Sequence, residues 1–246
     1  MRRWTFALLS LLPAATPALA QNRVVELTAE AATDERRRGL SWTDGKAAAS
    51  AQVTAQLPLT GLDASARVTT LRGADRHGGA DAVVDLEGGY GFDLGLVRLE
   101  ARGIGHVFTG GTDDLNYGEL GLGGGVLFGP LQVDLFGRYA PPQDAIGGDN
   151  LYLGARASAG IPTTAFTVRA GVGRSSGSVD DPVRAARLRP DGGYTDWMLG
   201  VTRVSGGLSL SLDYTGTDVE RFATPSPFAA LRHAGDRLTA RAAIRF

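Results

Sequence analysis

The sequence contains no cysteine, which excludes disulfides and thiolate metal sites. Histidine is scarce: His77, His106 and His233 stand far apart, in no metal-ligand spacing. Lysine occurs once, at Lys46, and there are only 11 prolines. No stretch reaches the roughly 20 apolar residues that a membrane-crossing helix needs. If the chain crosses a bilayer, it must do so as a closed barrel, because lipid cannot satisfy unpaired backbone groups. The 35 glycines follow no every-third-residue period, so collagen is excluded. Hydrophobic residues make up 43% and spread along the whole chain, which argues against disorder.

The first twenty residues differ from the rest. MRRWTFALLSLLPAATPALA has a basic start at Arg2 and Arg3, a short apolar run and a small-x-small end at Ala18-Leu19-Ala20. This is the pattern of a cleaved secretory leader, with the cut before Gln21. Removing Arg2 and Arg3 leaves 23 basic against 26 acidic side chains, a net charge of −3. That balance does not suit a nucleic-acid binder.

Beyond Gln21, period two dominates. In GDRLTARAAIRF, Leu238, Ala240, Ala242, Ile244 and Phe246 share one face, and Arg237, Thr239, Arg241 and Arg245 the other. Twelve such segments are predicted: 24–33, 47–57, 62–72, 81–92, 94–108, 115–128, 131–140, 150–160, 165–174, 193–204, 207–216 and 235–246. Their lengths suit tilted membrane-spanning strands of about 9–11 residues. The gaps alternate between short ones (58–61, residue 93, 129–130, 161–164, 205–206) and longer polar ones. Short turns on one side and long loops on the other are the mark of an outer-membrane barrel. Phe92, Phe128, Phe166 and Phe246 fall beside short turns, and Phe108, Tyr117, Tyr139, Tyr194 and Trp197 near long loops, as two aromatic girdles would require.

Lipid excludes charge, so the charged face is the lumen. The predicted inward acids are Glu26, Glu30, Asp63, Asp85, Glu87, Glu100, Glu119, Asp134, Asp196 and Asp213. The inward bases are Arg67, Arg98, Arg102, Arg138, Arg156, Arg169, Arg237, Arg241 and Arg245. The signs nearly balance, which predicts weak ion selectivity and charge pairs across the lumen. Inward glycines such as Gly89, Gly121, Gly123, Gly125 and Gly154 either widen the passage or mark bends in the sheet. Other motifs are weak. The run 121–126 lacks the following helix of a phosphate loop. Asp113-Asp114 and Asp180-Asp181 read as solvated turns. A hydrolase would need Asp75, Asp81 or Asp114 to meet one of the three histidines near the outer rim. Arg36, Arg37 and Arg38 are expected at that rim, either binding lipid phosphates or standing in solvent.

Residues 36–48, RRRGLSWTDGKAA, resemble the R-G-x-S-x-x-D-G-x-P-A stretch of the TorF family of porin-type barrels. Arg38, Gly39, Ser41, Asp44, Gly45 and Ala48 match as they stand. Arg37 replaces a frequent aromatic and Ala47 a frequent proline. The resemblance implies a barrel with a transport role.

The resulting expectation is an all-β, twelve-stranded, antiparallel up-and-down transmembrane barrel over residues 21–246, in the outer membrane of a Gram-negative bacterium. It would pass small hydrophilic solutes without covalent chemistry or cofactors. Its partners would be outer-membrane lipids and the barrel-assembly machinery, which reads a terminal aromatic such as Phe246. A blocked-lumen structural or receptor barrel and an outer-membrane hydrolase remain as alternatives.

Overall fold

The computed structural model describes residues 25–57, 59–111, 114–220, 226–229 and 231–246. The expected leader, its cleavage point before Gln21, and Asp113 lie outside the described residues. In chain order the strands are β1 (Val25–Ala32), β2 (Arg36–Arg37), β3 (Leu40–Ser41), β4 (Ala48–Leu57), β5 (Leu62–Thr70), β6 (Ala82–Leu94) and β7 (Val97–Thr109). They continue with β8 (Tyr117–Phe128), β9 (Leu131–Gln143), β10 (Gly148–Gly160), β11 (Phe166–Ser176), β12 (Tyr194–Ser205), β13 (Leu208–Thr217) and β14 (Arg237–Arg245). All but β2 and β3 form one closed antiparallel barrel of twelve strands. β1 closes on β14 through pairs such as Ala29↔Ile244, and the Phe246 amide donates to the Leu27 carbonyl at 2.9 Å.

The twelve predicted segments correspond to these twelve strands, with ends shifted by up to three residues. One shift moves a turn. The turn placed at residue 93 lies at Gly95 and Leu96, because Asp93 and Leu94 still pair with Arg98 and Val97. A two-residue hairpin turn needs positive φ, and Gly95 supplies it at 65°.

Period two sorts the faces as the sequence requires. Leu122 is 71% and Leu135 63% exposed on the outside, amid a continuous apolar band that also holds Leu27, Leu86, Leu153 and Leu212. Water would not tolerate a patch of that extent, whereas hydrocarbon would. Tyr90, Phe92, Phe128, Phe166 and Phe246 are exposed at the short-turn end, and Tyr139 and Tyr214 towards the other. Tyr117, Tyr194 and Phe108 do not join that outer girdle. They share a face with Glu119, Asp196 and His106 respectively, so the same alternation turns them inward, where Tyr117 and Tyr194 are buried.

At the long-loop end the connections pack together. Trp42, Leu71, Ala80 and Val83 form one apolar cluster and Tyr117, Ala145, Ile146 and Leu188 another, with Phe108 touching both. Leu40, Tyr194, Val219 and Ala234 form a third. A layer of folded loop thus covers this mouth.

The barrel interior and its inward hairpin

The first long loop enters the lumen. β2 and β3 pair as a hairpin, Arg36↔Ser41 and Arg37↔Leu40. Its two turn residues, Arg38 (φ 51°) and Gly39 (φ 73°), are both left-handed, as the twist of a two-residue hairpin demands. A Cβ on Gly39 would collide with the side chains of Thr217 and Asp196, so glycine lets the tip press against the wall at β12 and β13. The base is tied by Ser41, whose hydroxyl donates to Asp34 at 2.5 Å and accepts from the Gly45 amide at 2.9 Å. Asp44 and Gly45, at φ 52° and 71°, make a second turn, and Asp44 accepts from the Asp75 amide at 3.0 Å.

This placement corrects the expected rim position of the three arginines. Arg37 grips Asp85 with two bonds of 3.1 and 2.7 Å, binds Glu35 at 3.1 Å, and lies 4.1 Å over the Trp42 ring. Arg38 bonds both Glu119 oxygens at 2.7 and 2.6 Å and covers the Tyr152 ring at 4.6 Å. Arg36 lies 3.5 Å from Asp34 and donates to the carbonyl of His233. The physical reason is that Asp85 and Glu119 are buried on the wall, and a buried carboxylate needs a cation. Burial alone would depress the pKa of Arg37 and Arg38. Asp85 and Glu35 outweigh it for Arg37, and Glu119 for Arg38, so both pKa values rise.

The remaining predicted inward residues all face the interior, but few charges pair across it. They pair along the wall. Arg67 and Arg241 both reach Glu30, at 2.9 and 3.1 Å. Arg102 binds Asp63 at 2.9 Å and Glu100 at 3.2 Å, with Glu87 at 3.8 Å. Arg169 binds Asp213 at 2.7 Å, Arg98 binds Asp93 at 3.1 Å, and Arg245 binds Glu26 at 3.0 Å. Asp134 accepts from Gln132 at 3.0 Å, and Asp196 from the Tyr152 hydroxyl at 3.2 Å. Arg237 sits 3.6 Å from Asp34.

Three of these ion pairs bridge an intervening strand: Arg67 reaches Glu30 across β4, and in the other two a glycine stands in the middle. Gly200 is in register with both Arg169 and Asp213, and Gly89 with both Arg102 and Asp63. A Cβ at Gly200 would overlap the Asp213 carboxylate. These inward glycines are therefore saddles over which a guanidinium reaches its partner. Gly200→Ala should cost about 1.5–3 kcal/mol, the worth of a charged hydrogen bond. Gly103→Ala, on the outer face with open space beside it, should cost far less. Urea unfolding in lipid vesicles reads both. Equal effects would show that Gly200 has no such role.

Three cavities lie in the interior among the described residues. One of about 390 Å³ lies beneath the hairpin, one of about 410 Å³ beside it, and one of about 620 Å³ opens towards the short turns. Arg156 borders all three.

Sequence reading missed the loop residues that seal the mouth. Arg76 and Arg187 are fully buried, although nothing in their polar surroundings in sequence signals it. Arg76 donates to the carbonyls of Ser41 and Arg187 at 3.2 and 2.7 Å. Arg187 donates to those of Leu115 and Ala145 and lies 4.3 Å over Phe108. Burial lowers both to about 10, so both stay cationic at pH 7. Phe136 was overlooked as well, though it shares the inward phase of Asp134 and Arg138.

The aspartate–histidine arrangement that a hydrolase would need is not formed among the described residues. Among the described residues, neither Asp75, Asp81 nor Asp114 pairs with a histidine. Polar loop residues cluster in sequence without converging in space. His106 instead bonds Asp85 at 2.7 Å, and that carboxylate is already held by Arg37. His77 is fully buried, 4.4 Å from Trp42 and 5.0 Å from Phe108 between ring centroids. Desolvation, then Arg187, Arg76, Arg37 and His106, hold its pKa well below 6.5. Its neutral form therefore stabilises the loop layer above about pH 6.5, and that contribution is lost as pH falls towards the depressed value. Acidification should loosen the layer, seen as faster proteolysis of the 72–81 loop. His77→Phe should flatten this pH response, and an unchanged response would remove His77 as its source.

These features define a closed twelve-stranded membrane-type β-barrel with an inward hairpin and a charge-lined interior. The chain belongs to the bacterial protein family of unknown function designated Gcw_chp, which matches residues 21–239. No curated protein matches. Among solved structures, the KdgM porin is similar in fold, with a TM-score of 0.58 at 7% identity over 90% of this chain and 99% of that one. A structure from work on in-meso crystallization of membrane proteins is also similar, with a TM-score of 0.51 at 12% identity over 90% of this chain and 83% of that one.

Proposed function

We propose that this protein is an outer-membrane porin-like channel for passive diffusion of small hydrophilic solutes, with the β2–β3 hairpin as its internal constriction. The observation that carries this reading is water-sized space lined by charge inside a lipid-facing shell. Likeness to the KdgM porin supports it at the level of fold. Along most of the wall, charges are neutralised pair by pair, which supports weak ion selectivity there. Residues 1–20 are proposed to be a cleaved leader.

Single-channel recording of the purified barrel tests the proposal, with liposome swelling in small neutral sugars beside it. Steady unitary currents and swelling are expected. A silent bilayer would favour the blocked-lumen reading, which the packed loop layer at the outer mouth supports. Phe246 is the proposed signal to the barrel-assembly machinery and also makes the last seam bond. Deleting it should lower the amount of heat-modifiable barrel in outer-membrane fractions, and unchanged assembly would count against that role.

A further inference from the structure

The cavity beneath the hairpin is lined by eight arginines and only three carboxylates. Asp34, Glu30 and Glu119 stand behind that surface and, with Glu35 and Asp85, occupy Arg36, Arg37, Arg38, Arg67 and Arg241. Arg138 and Arg156 are different. Among the described residues, neither has a carboxylate within salt-bridge distance. Arg156 is in register with Asp134, yet its guanidinium lies 4.7 Å over the Phe136 ring while Asp134 takes Gln132. Arg138 is in register with Gly121, which offers it no side-chain partner. Both border the cavity beneath the hairpin and the one that opens to the short turns, so they stand where the two spaces meet.

We infer that Arg138 and Arg156 form an anion-selecting eyelet, giving the channel a preference for small oxyanions of the carboxylate and phosphate class. The inference rests on the channel reading above. Two guanidiniums without a carboxylate partner among the described residues, in a low-dielectric neck, attract anions and repel cations, and their planar forks fit two oxygens at once. Rings of arginine serve anion pores in this way. The weak selectivity of the paired wall then gives way to one basic step in series with it. Arg98 and Arg241 are not part of the eyelet, because Asp93 and Glu30 neutralise them.

The test is the reversal potential of the full-length barrel in a planar bilayer under a potassium chloride gradient, followed by titration with inorganic phosphate or acetate. The wild type should show anion preference, and both oxyanions should reduce its chloride current. Block by phosphate alone would narrow the class to phosphates, and block by acetate as well would include carboxylates. Arg138→Ala with Arg156→Ala should abolish the preference and the block, while the double lysine variant should keep much of the preference. The alanine variant orphans no partner, so heat-modifiability should confirm that it folds. A conducting wild type with cation preference, or an alanine variant with unchanged reversal potential, overturns the eyelet and leaves the channel standing. A silent wild type overturns the channel reading. Calorimetric phosphate binding to the detergent-solubilised barrel, lost in the alanine variant, decides the oxyanion site without conduction, and its absence in the wild type overturns it.

Discussion

Arg38→Ala should raise the unitary conductance of the barrel and admit larger solutes. Arg38 is the cation for Glu119, which is only 2% exposed, and it holds both carboxylate oxygens. Removing one partner of a buried pair costs about 3–5 kcal/mol, because the other charge is left without compensation. Arg37 still holds Asp85 and the Tyr194 hydroxyl still donates to the Arg38 carbonyl, so the hairpin stays in the lumen with a loosened tip. The cavities beneath and beside the hairpin, both bordered by Arg38, would then merge. Combining Arg38→Ala with Glu119→Gln should restore most of the lost stability, because neither buried charge remains, while conductance stays high. Arg38→Lys should fall between, having lost the fork and the stacking on Tyr152. If Arg38→Ala leaves both conductance and stability unchanged, the hairpin is not the constriction.

Leu212→Arg should destabilise the barrel by about 2–4 kcal/mol, the cost of arginine on the lipid face near the midplane. Ser211→Arg, one residue away, should cost much less. Leu212 points out with Leu210, and Ser211 points in, where its hydroxyl meets that of Thr202 at 2.9 Å. The contrast isolates strand phase, because the two positions are adjacent on the same strand at nearly the same depth. Refolding titrations into lipid vesicles measure both. Equal costs would mean that the outer face of β13 does not meet lipid.

Much of this architecture is legible in the sequence because a strand sorts side chains by parity. Leu208, Leu210, Leu212 and Tyr214 against Ser209, Ser211 and Asp213 leave one orientation in lipid, and the same test orients β14 and β9. It also places Phe136, Phe108 and Tyr117 inside, where the girdle argument misassigned the last two by weighing position along the strand above phase. Parity says which charges share the lumen but not which of them meet. Arg98, Arg138 and Arg156 look alike in sequence. Only the structure shows that Arg98 finds Asp93 while the other two find no acid among the described residues.

The loops were the least legible part. Arg36, Arg37 and Arg38 look like a solvated run because their partners, Asp34, Asp85 and Glu119, are 2, 48 and 81 residues away. The turn signals Arg38-Gly39 and Asp44-Gly45 can be read directly, yet a turn does not say which way its hairpin points. Burial of Arg76 and Arg187 depends wholly on carbonyls and rings brought by other loops.

The sequence by itself determined the barrel: twelve strands, their inward and outward faces, and the side on which the long loops lie. Those follow from local periodicity, which lipid and water read one residue at a time. The tertiary structure alone decided that the first loop enters the lumen, that Gly89 and Gly200 seat bridging ion pairs, and that Arg138 and Arg156 meet no carboxylate among the described residues. Each of these depends on which distant strand supplies the neighbour, and a charge is satisfied by proximity in space, whatever its distance along the chain.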